Sequence, residues 1–174
     1  MAGQALTLGS GMRTAIITIS TSLSEGRGND ESGPALADWA RDIGAEVIAT
    51  ELVPDERSKI EWALRHYADS AGCELVLTTG GTGFSPSDVT PEATRAVLDR
   101  EAPGIAEAMR SASRPHTKNW MLSRAVAGIR KRTLILNFPG SPRSIRQVGD
   151  DIAAAIPHAV ALLSGRPTGH DRGR

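Results

Sequence analysis

Two hydrophobic periods alternate along this chain. The short runs RTAIITIS (13–20), EVIATELV (46–53), ELVLTT (74–79) and RTLILNF (132–138) are rich in β-branched and aliphatic residues and predict buried strands. Between them the apolar positions recur every three or four residues. Leu36, Trp39, Ala40 and Ile43 share one face of a helix over 32–46, with Gly44 as its stop signal. Ile60, Ala63, Leu64 and Tyr67 do the same over 58–69. Helices are also expected at 91–101 and 103–111, whereas 114–128 shows no clear period. A long helix is expected over 142–163, bent at Pro157, because a residue without an N–H breaks the helical ladder. Strands alternating with amphipathic helices predict an α/β sandwich built on a mainly parallel sheet.

Length and charge narrow this picture. With 174 residues the chain is long enough for one full core, expected over 13–164, with loosely ordered tails at 1–12 and 165–174 where small and polar residues dominate. Twenty Lys and Arg balance twenty Asp and Glu, so the basic excess of a phosphate-neutralising nucleic-acid binder is missing. No apolar run reaches the roughly 18 residues of a membrane span, and the start carries no secretory pattern. A lone cysteine, Cys73, excludes an internal disulfide framework and reads as a packed residue before a strand. The expected setting is cytoplasmic.

Ligands of such sheets usually sit beyond the carboxyl ends of the strands. Three loops lie there: VPDE (53–56), TTGGTGFSPSDVTP (78–91) and NFPGSP (137–142). The glycine loop, Gly80-Gly81-Thr82-Gly83, matches neither the dinucleotide fingerprint, since Pro86 stands where a third glycine belongs, nor a P-loop. It reads either as a tight turn or as an anion cradle in which backbone N–H groups and the hydroxyls of Thr78, Thr79 and Thr82 meet a ligand. Thr90 is placed as the N-cap of the next helix, with Pro91 at its first position. Asp88 is then either a turn-forming residue or a metal ligand, since an acid beside bound phosphate needs a cation. Asp55 is a second strand-end acid; it, or Ser58, could instead cap the following helix, and Glu56 is a weaker metal candidate. Ser141 is expected as an N-cap followed by Pro142, and Gly140 lets a phosphate or carboxylate approach that helix end, with Arg143 and Arg146 nearby. The histidines (66, 116, 158, 170) lack metal-ligand spacing, with His66 and His158 read as helix-surface residues.

LVLTTGGTGFSPSDVTPEAT resembles the signature of the molybdopterin adenylyltransferase family of molybdenum-cofactor biosynthesis. The likeness runs over roughly 13–164 and includes DESGPAL (30–36), LVPDE (52–56) and MLSRAVAGIRKRTLILNFPGSP (121–142). It implies a three-layer α/β/α sandwich, the molybdopterin-binding fold. It also implies that the terminal phosphate of molybdopterin attacks the α-phosphate of Mg²⁺-bound ATP, releasing pyrophosphate. In this likeness Asp55 and Asp88 are the catalytic and metal-binding acids. Thr79, Gly80, Gly81, Thr82, Gly83 and Ser20, with Pro139, Gly140 and Ser141, line the nucleotide and pterin site. Homotrimers or hexamers are implied, as is a molybdate-inserting partner. One departure stands out: Ser20-Thr21-Ser22 replaces the Ser-Asp-Arg that many such enzymes carry, losing a charge pair. The competing readings are a molybdopterin binder of the same fold without transferase activity, and a molybdate-insertion activity, for which the chain has no room for the additional domains.

Overall fold

The structure, a computed structural model, describes residues 11–168. In chain order the elements are β1 (Met12–Ile19), α1 (Thr21–Ser24), α2 (Ser32–Asp42), β2 (Ala45–Val53), α3 (Arg57–Arg65), β3 (Leu75–Thr79), α4 (Thr90–Val97), β4 (Arg100–Glu101), α5 (Pro103–Ser113), β5 (Ala127–Arg130), β6 (Thr133–Phe138), α6 (Pro142–Ile152) and α7 (Ala155–Ser164). The tails expected at 1–12 and 165–174 lie mostly outside the described residues. Met12 already belongs to β1, and Gly165 closes α7 in a left-handed conformation.

One six-stranded sheet organises the chain, in the order β2-β1-β3-β6-β5-β4. β2, β1, β3 and β6 run parallel, and β5 and β4 add an antiparallel edge. Successive side chains on a strand point to opposite faces, so each strand feeds two cores. Ile16, Leu75, Leu77, Leu134, Leu136 and Phe138 face one side and pack under α2, α5, α6 and α7. Ala15, Ile17, Ile19, Val76 and Ile135 face the other, beneath α3 and α4. The result is the three-layer sandwich around a mainly parallel sheet. No helix among the described residues is long and apolar enough to cross a membrane. Cys73 is buried before β3 as expected, and burial pushes its thiol up to about 11.

Four expectations need correction. The helix at 91–101 stops at Val97, and Arg100–Glu101 form the edge strand β4. The helix at 58–69 gives way at His66 to a π turn, where the Ala71 N–H donates to the His66 carbonyl at 3.0 Å. The helix at 142–163 is two helices: it breaks at Ala153–Ala154 rather than bending at Pro157. The proline ring excludes the carbonyl four residues upstream, that of Ala153, and Pro157 itself sits in the tolerant first turn of α7. The patternless stretch hides strand β5, joined to β6 by a two-residue turn with Lys131 left-handed at φ 52°. The Asp99 carboxylate holds that turn by accepting the Lys131 N–H at 2.6 Å.

α2 and α6 meet where Trp39 lies over Gly149. The indole is 1% exposed and tilted against Phe138, with ring centroids 5.0 Å apart, so it has no room to retreat. A side chain at Gly149 would begin 2.5 Å from Trp39 Cε2. Gly149→Val is therefore expected to destabilise the fold by about 2 kcal/mol or more, overpacking outweighing the few tenths gained in helix propensity. A fall in the urea midpoint with an unchanged slope is the expected readout; an unchanged midpoint would show that α6 shifts freely.

Candidate functional site

Parallel register brings four strand ends to one edge of the sheet. Ile19 pairs with Val53, Thr18 with Thr79, and Thr79 with Phe138, so the loops that follow them emerge side by side. The strand order reverses direction between β1 and β3, which opens a crevice between their outgoing loops. Ser20, Asp55, the glycine loop and Pro139-Gly140-Ser141 all stand at this edge.

Backbone geometry requires the glycines of the central loop. Gly80 and Gly81 are left-handed, at φ 104° and 67°. A side chain on Gly80 would drive into the carbonyl of Ile19, and one on Gly81 into the Thr90 hydroxyl. The Gly80 N–H donates to the Phe138 carbonyl at 3.2 Å, and a Cβ at Gly140 would lie only 3.3 Å from Gly80 Cα. The tight-turn reading of this loop is thus correct in its geometry.

Two of the three hydroxyls expected at the ligand, those of Thr78 and Thr79, face inward instead. Thr79 is fully buried and its Oγ1 donates to the Pro139 carbonyl at 2.7 Å, tying the glycine loop to the third loop. Thr78 accepts from Asn137 Nδ2 at 3.0 Å, and the same amide donates to Thr94 Oγ1 at 3.0 Å. Asn137 Oδ1 accepts the Val126 N–H at 3.1 Å, so one buried side chain joins β3, β6, α4 and the chain entering β5. Thr90 is not the N-cap: it is the first residue of α4, Val89 precedes it, and no side chain caps that helix. Its Oγ1 donates to the Gly80 carbonyl at 2.9 Å and its N–H to the Gly81 carbonyl at 3.1 Å. Thr82 lines a cavity of about 240 Å³ with Gly83, Trp120, Leu122, Ser123, Pro139 and Ser144.

The two acids stand at either end of the loop. Asp55 does not cap α3, whose N-cap is Glu56 with no side-chain bond. Its Oδ2 accepts from the Thr21 N–H at 2.8 Å and the Thr21 hydroxyl at 3.0 Å, and the Asp55 N–H donates to Thr21 Oγ1 at 2.9 Å. Its Oδ1 faces Gly81, 3.1 Å from where a Cβ would stand there. Asp88 closes a turn on Ser85: Oδ2 accepts the Ser85 N–H at 2.9 Å, and the Asp88 N–H donates to the Ser85 carbonyl at 2.9 Å. That oxygen also faces Gly83. Among the described residues no donor reaches Oδ1 of either acid, and both carboxylates are half-buried.

Ser20 N-caps the short α1, its Oγ accepting the Leu23 N–H at 3.4 Å. Ser141 holds the N-cap position of α6 without a side-chain bond. Arg146 turns away from this edge to pair with Asp42 at 2.5 Å. His66 stacks on Trp62 with ring centroids 5.0 Å apart and His158 is exposed, while His170 lies outside the described residues.

Arg124, in the stretch without a clear period, is the residue that sequence reasoning missed. Its backbone N–H donates to the Thr82 carbonyl at 2.9 Å, its Nε to the Gly83 carbonyl at 2.7 Å and its Nη2 to the Asp88 carbonyl at 2.7 Å. Nη1 pairs with Glu92 on the first turn of α4. Burial raises the Glu92 carboxyl, but the hydrogen bond and charge of Arg124 more than offset this and hold it below the usual carboxylate range. The only advance signal was its place in the family-like segment 121–142.

The comparisons with known proteins agree with this architecture. Residues 15–158 match the family model described as "Probable molybdopterin binding domain". The molybdopterin adenylyltransferase of Escherichia coli (strain K12) is 41% identical across 88% of this chain and 86% of its own length. The solved structure of the molybdopterin biosynthesis enzyme MoaB from Thermus thermophilus is 46% identical, with a TM-score of 0.84 over 90% of this chain and 98% of that one. That of the molybdopterin biosynthesis Mog protein from Mycobacterium ulcerans is 37% identical, with a TM-score of 0.83 over 91% and 100%. With matches of this depth along nearly its whole described length, the chain belongs to the molybdopterin-binding domain family of molybdenum-cofactor biosynthesis, the family of the molybdopterin adenylyltransferases.

Proposed function

We propose that this chain is a molybdopterin adenylyltransferase, using the loop between Asp55 and Asp88 as its phosphate and metal site. The observation that carries the proposal is the pair of acids flanking left-handed glycines, each with one carboxylate oxygen lacking a protein partner. A pure pterin binder has no use for two such oxygens beside an anion loop.

The reaction asks little of a general base. An oxygen of the terminal phosphate of molybdopterin bonds to the α-phosphorus of ATP, the bond to the bridging oxygen breaks, and pyrophosphate leaves with that electron pair. The attacking oxygen is already anionic at neutral pH, so no proton has to move first. What remains is holding polyanions together in line, which calls for positioning and charge stabilisation. Gly80 to Gly83 lie within reach of phosphates at the strand ends, and Thr82, Ser20, Gly140 and Ser141 border the same crevice. The cavity beside Thr82 and Pro139 has an apolar floor, with hydroxyls from Ser113, Thr117, Ser123 and Ser144, suited to a planar polar ring.

The donor set suits Mg²⁺. Two carboxylates, Asp55 and Asp88, stand beside the glycine loop, each with one oxygen that no protein donor reaches among the described residues. Mg²⁺ is typically held by one or two carboxylates, with substrate phosphates and water completing its octahedron. Asp55 and Asp88 would hold it, and its contribution when bound is to neutralise phosphate charge. The same proposal includes assembly as a homotrimer or hexamer, and a molybdate-inserting partner that takes the adenylated product.

Incubation with molybdopterin, ATP and Mg²⁺ is expected to yield pyrophosphate and adenylated molybdopterin in equal amounts; tight pterin binding without pyrophosphate would sink the enzyme reading. Asp88→Asn is expected to keep the fold and most pterin affinity while losing about 100-fold or more in turnover. Normal turnover in that variant would make Asp88 a turn residue only. Asp55→Asn retains an oxygen that can accept from Thr21, so its thermal midpoint should stay close to the parent's while turnover falls. Unfolding of that variant would instead assign Asp55 a structural role.

A further inference from the structure

We infer that Arg124 is the positioning residue of the site: it staples the 82–88 loop at both ends and thereby fixes how Asp88 is presented. This rests on the adenylyl-transfer reading and extends it to a residue with no assigned role. A guanidinium has five donors in a rigid plane. In this chain one edge reaches the Gly83 carbonyl, the far end reaches the Asp88 carbonyl, and the remaining nitrogen pairs with Glu92. The backbone N–H of the same residue holds the Thr82 carbonyl. Both ends of the loop and the first turn of α4 are therefore bound to a single side chain 32 to 41 residues away in sequence.

The segment between the staples cannot order itself. Phe84, Ser85, Pro86 and Ser87 are exposed, Phe84 at 67%, and the contacts within the segment are the Ser85–Asp88 turn and a Ser85–Ser87 hydroxyl pair. That turn sets the Asp88 carboxylate relative to Ser85 but not relative to the rest of the protein. Arg124 supplies the missing reference. Its charge is matched by Glu92, and its nitrogens are occupied by two carbonyls and a carboxylate, so it is not a free cation awaiting phosphate. Lysine at this position keeps the charge but reaches one carbonyl where arginine reaches two.

Backbone amide exchange and steady-state kinetics on the full-length chain test this together. In Arg124→Lys and Arg124→Ala, the amides of 83–89 are expected to exchange at least about tenfold faster, while those of β1, β3 and β6 hold at parent values. The kcat is expected to fall about 100-fold, as for a displaced catalytic group, with the Mg²⁺ concentration for half-maximal rate rising and the KM for molybdopterin little changed. Lysine should recover only a minor part of the loss. Glu92→Gln, which leaves both carbonyl staples in place, should keep 83–89 exchange near the parent's. Should the alanine variant fail to fold, the lysine variant carries the test. Parent-like exchange in 83–89, or a raised KM for ATP with unaltered exchange, would overturn the staple, the second by making Arg124 a phosphate contact. Faster exchange in a protein whose parent makes no pyrophosphate would leave the staple standing and remove the adenylylation reading instead.

Discussion

The Thr90 hydroxyl, bonded to the Gly80 carbonyl at the end of the central strand β3, is the contact on which the site depends. Parallel strands end with carbonyls that have no partner in the ladder, and a buried carbonyl without a hydrogen bond costs about 1–3 kcal/mol. Thr90 satisfies Gly80 with its side chain and Gly81 with its N–H. Those two bonds hold the left-handed turn in place and start α4 directly beneath it. Neighbouring contacts repeat the pattern: Thr79 ties in Pro139, Phe138 receives the Gly80 N–H, and Asn137 locks Thr78 to Thr94. The loop is shaped from below by buried threonines and one asparagine, before any ligand is considered.

This arrangement divides the polar groups of the edge into two sets. Inward groups are matched within the protein and give the loop its form. Outward groups, chiefly Oδ1 of Asp55, Oδ1 of Asp88 and the N–H groups of Gly81 and Gly83, have no partner among the described residues, and these are the groups the proposed function assigns to its ligands. Each acid is anchored through Oδ2, so its second oxygen is aimed without being occupied. Preorganisation of this sort lowers the cost of assembling several anions, the main barrier when two phosphorylated substrates must meet.

Most of the fold was legible in the sequence because its four parallel strands are short aliphatic runs and its long helices carry a clear 3.6-residue period. The antiparallel edge was not. β5 contains Gly128, and the turn after it lacks the Asn-Gly or Asp-Gly signal of a hairpin because the distant Asp99 stabilises Lys131 instead. The site divided along similar lines. Asp55, Asp88 and the glycines could be placed at the strand ends from residue type and position, which left open whether each serves a turn, a cap or a ligand. The roles of Thr79, Thr90 and Arg124 depend on partners 10 to 60 residues away, and local pattern carries no record of those. Thr90 in particular satisfies every local rule for an N-cap, yet the tertiary demand of two unpaired carbonyls outweighs them.

Thr21 shows how a departure from the family pattern is absorbed. The family resemblance implies Ser-Asp-Arg at this position, and this chain has Ser20-Thr21-Ser22. An aspartate at position 21 has no side-chain hydrogen to offer Asp55, and two carboxylates at that spacing would repel unless a cation, such as the adjacent arginine, stood between them. Threonine removes the conflict. Its hydroxyl donates to Asp55 Oδ2 and accepts the Asp55 N–H, and its own N–H adds a second bond to the same oxygen. A closed set of hydrogen bonds thus fixes one oxygen of Asp55 and leaves the other facing Gly81. The orientation of Asp55 in this chain is consequently set by neutral groups, which salt screens far less than a surface ion pair.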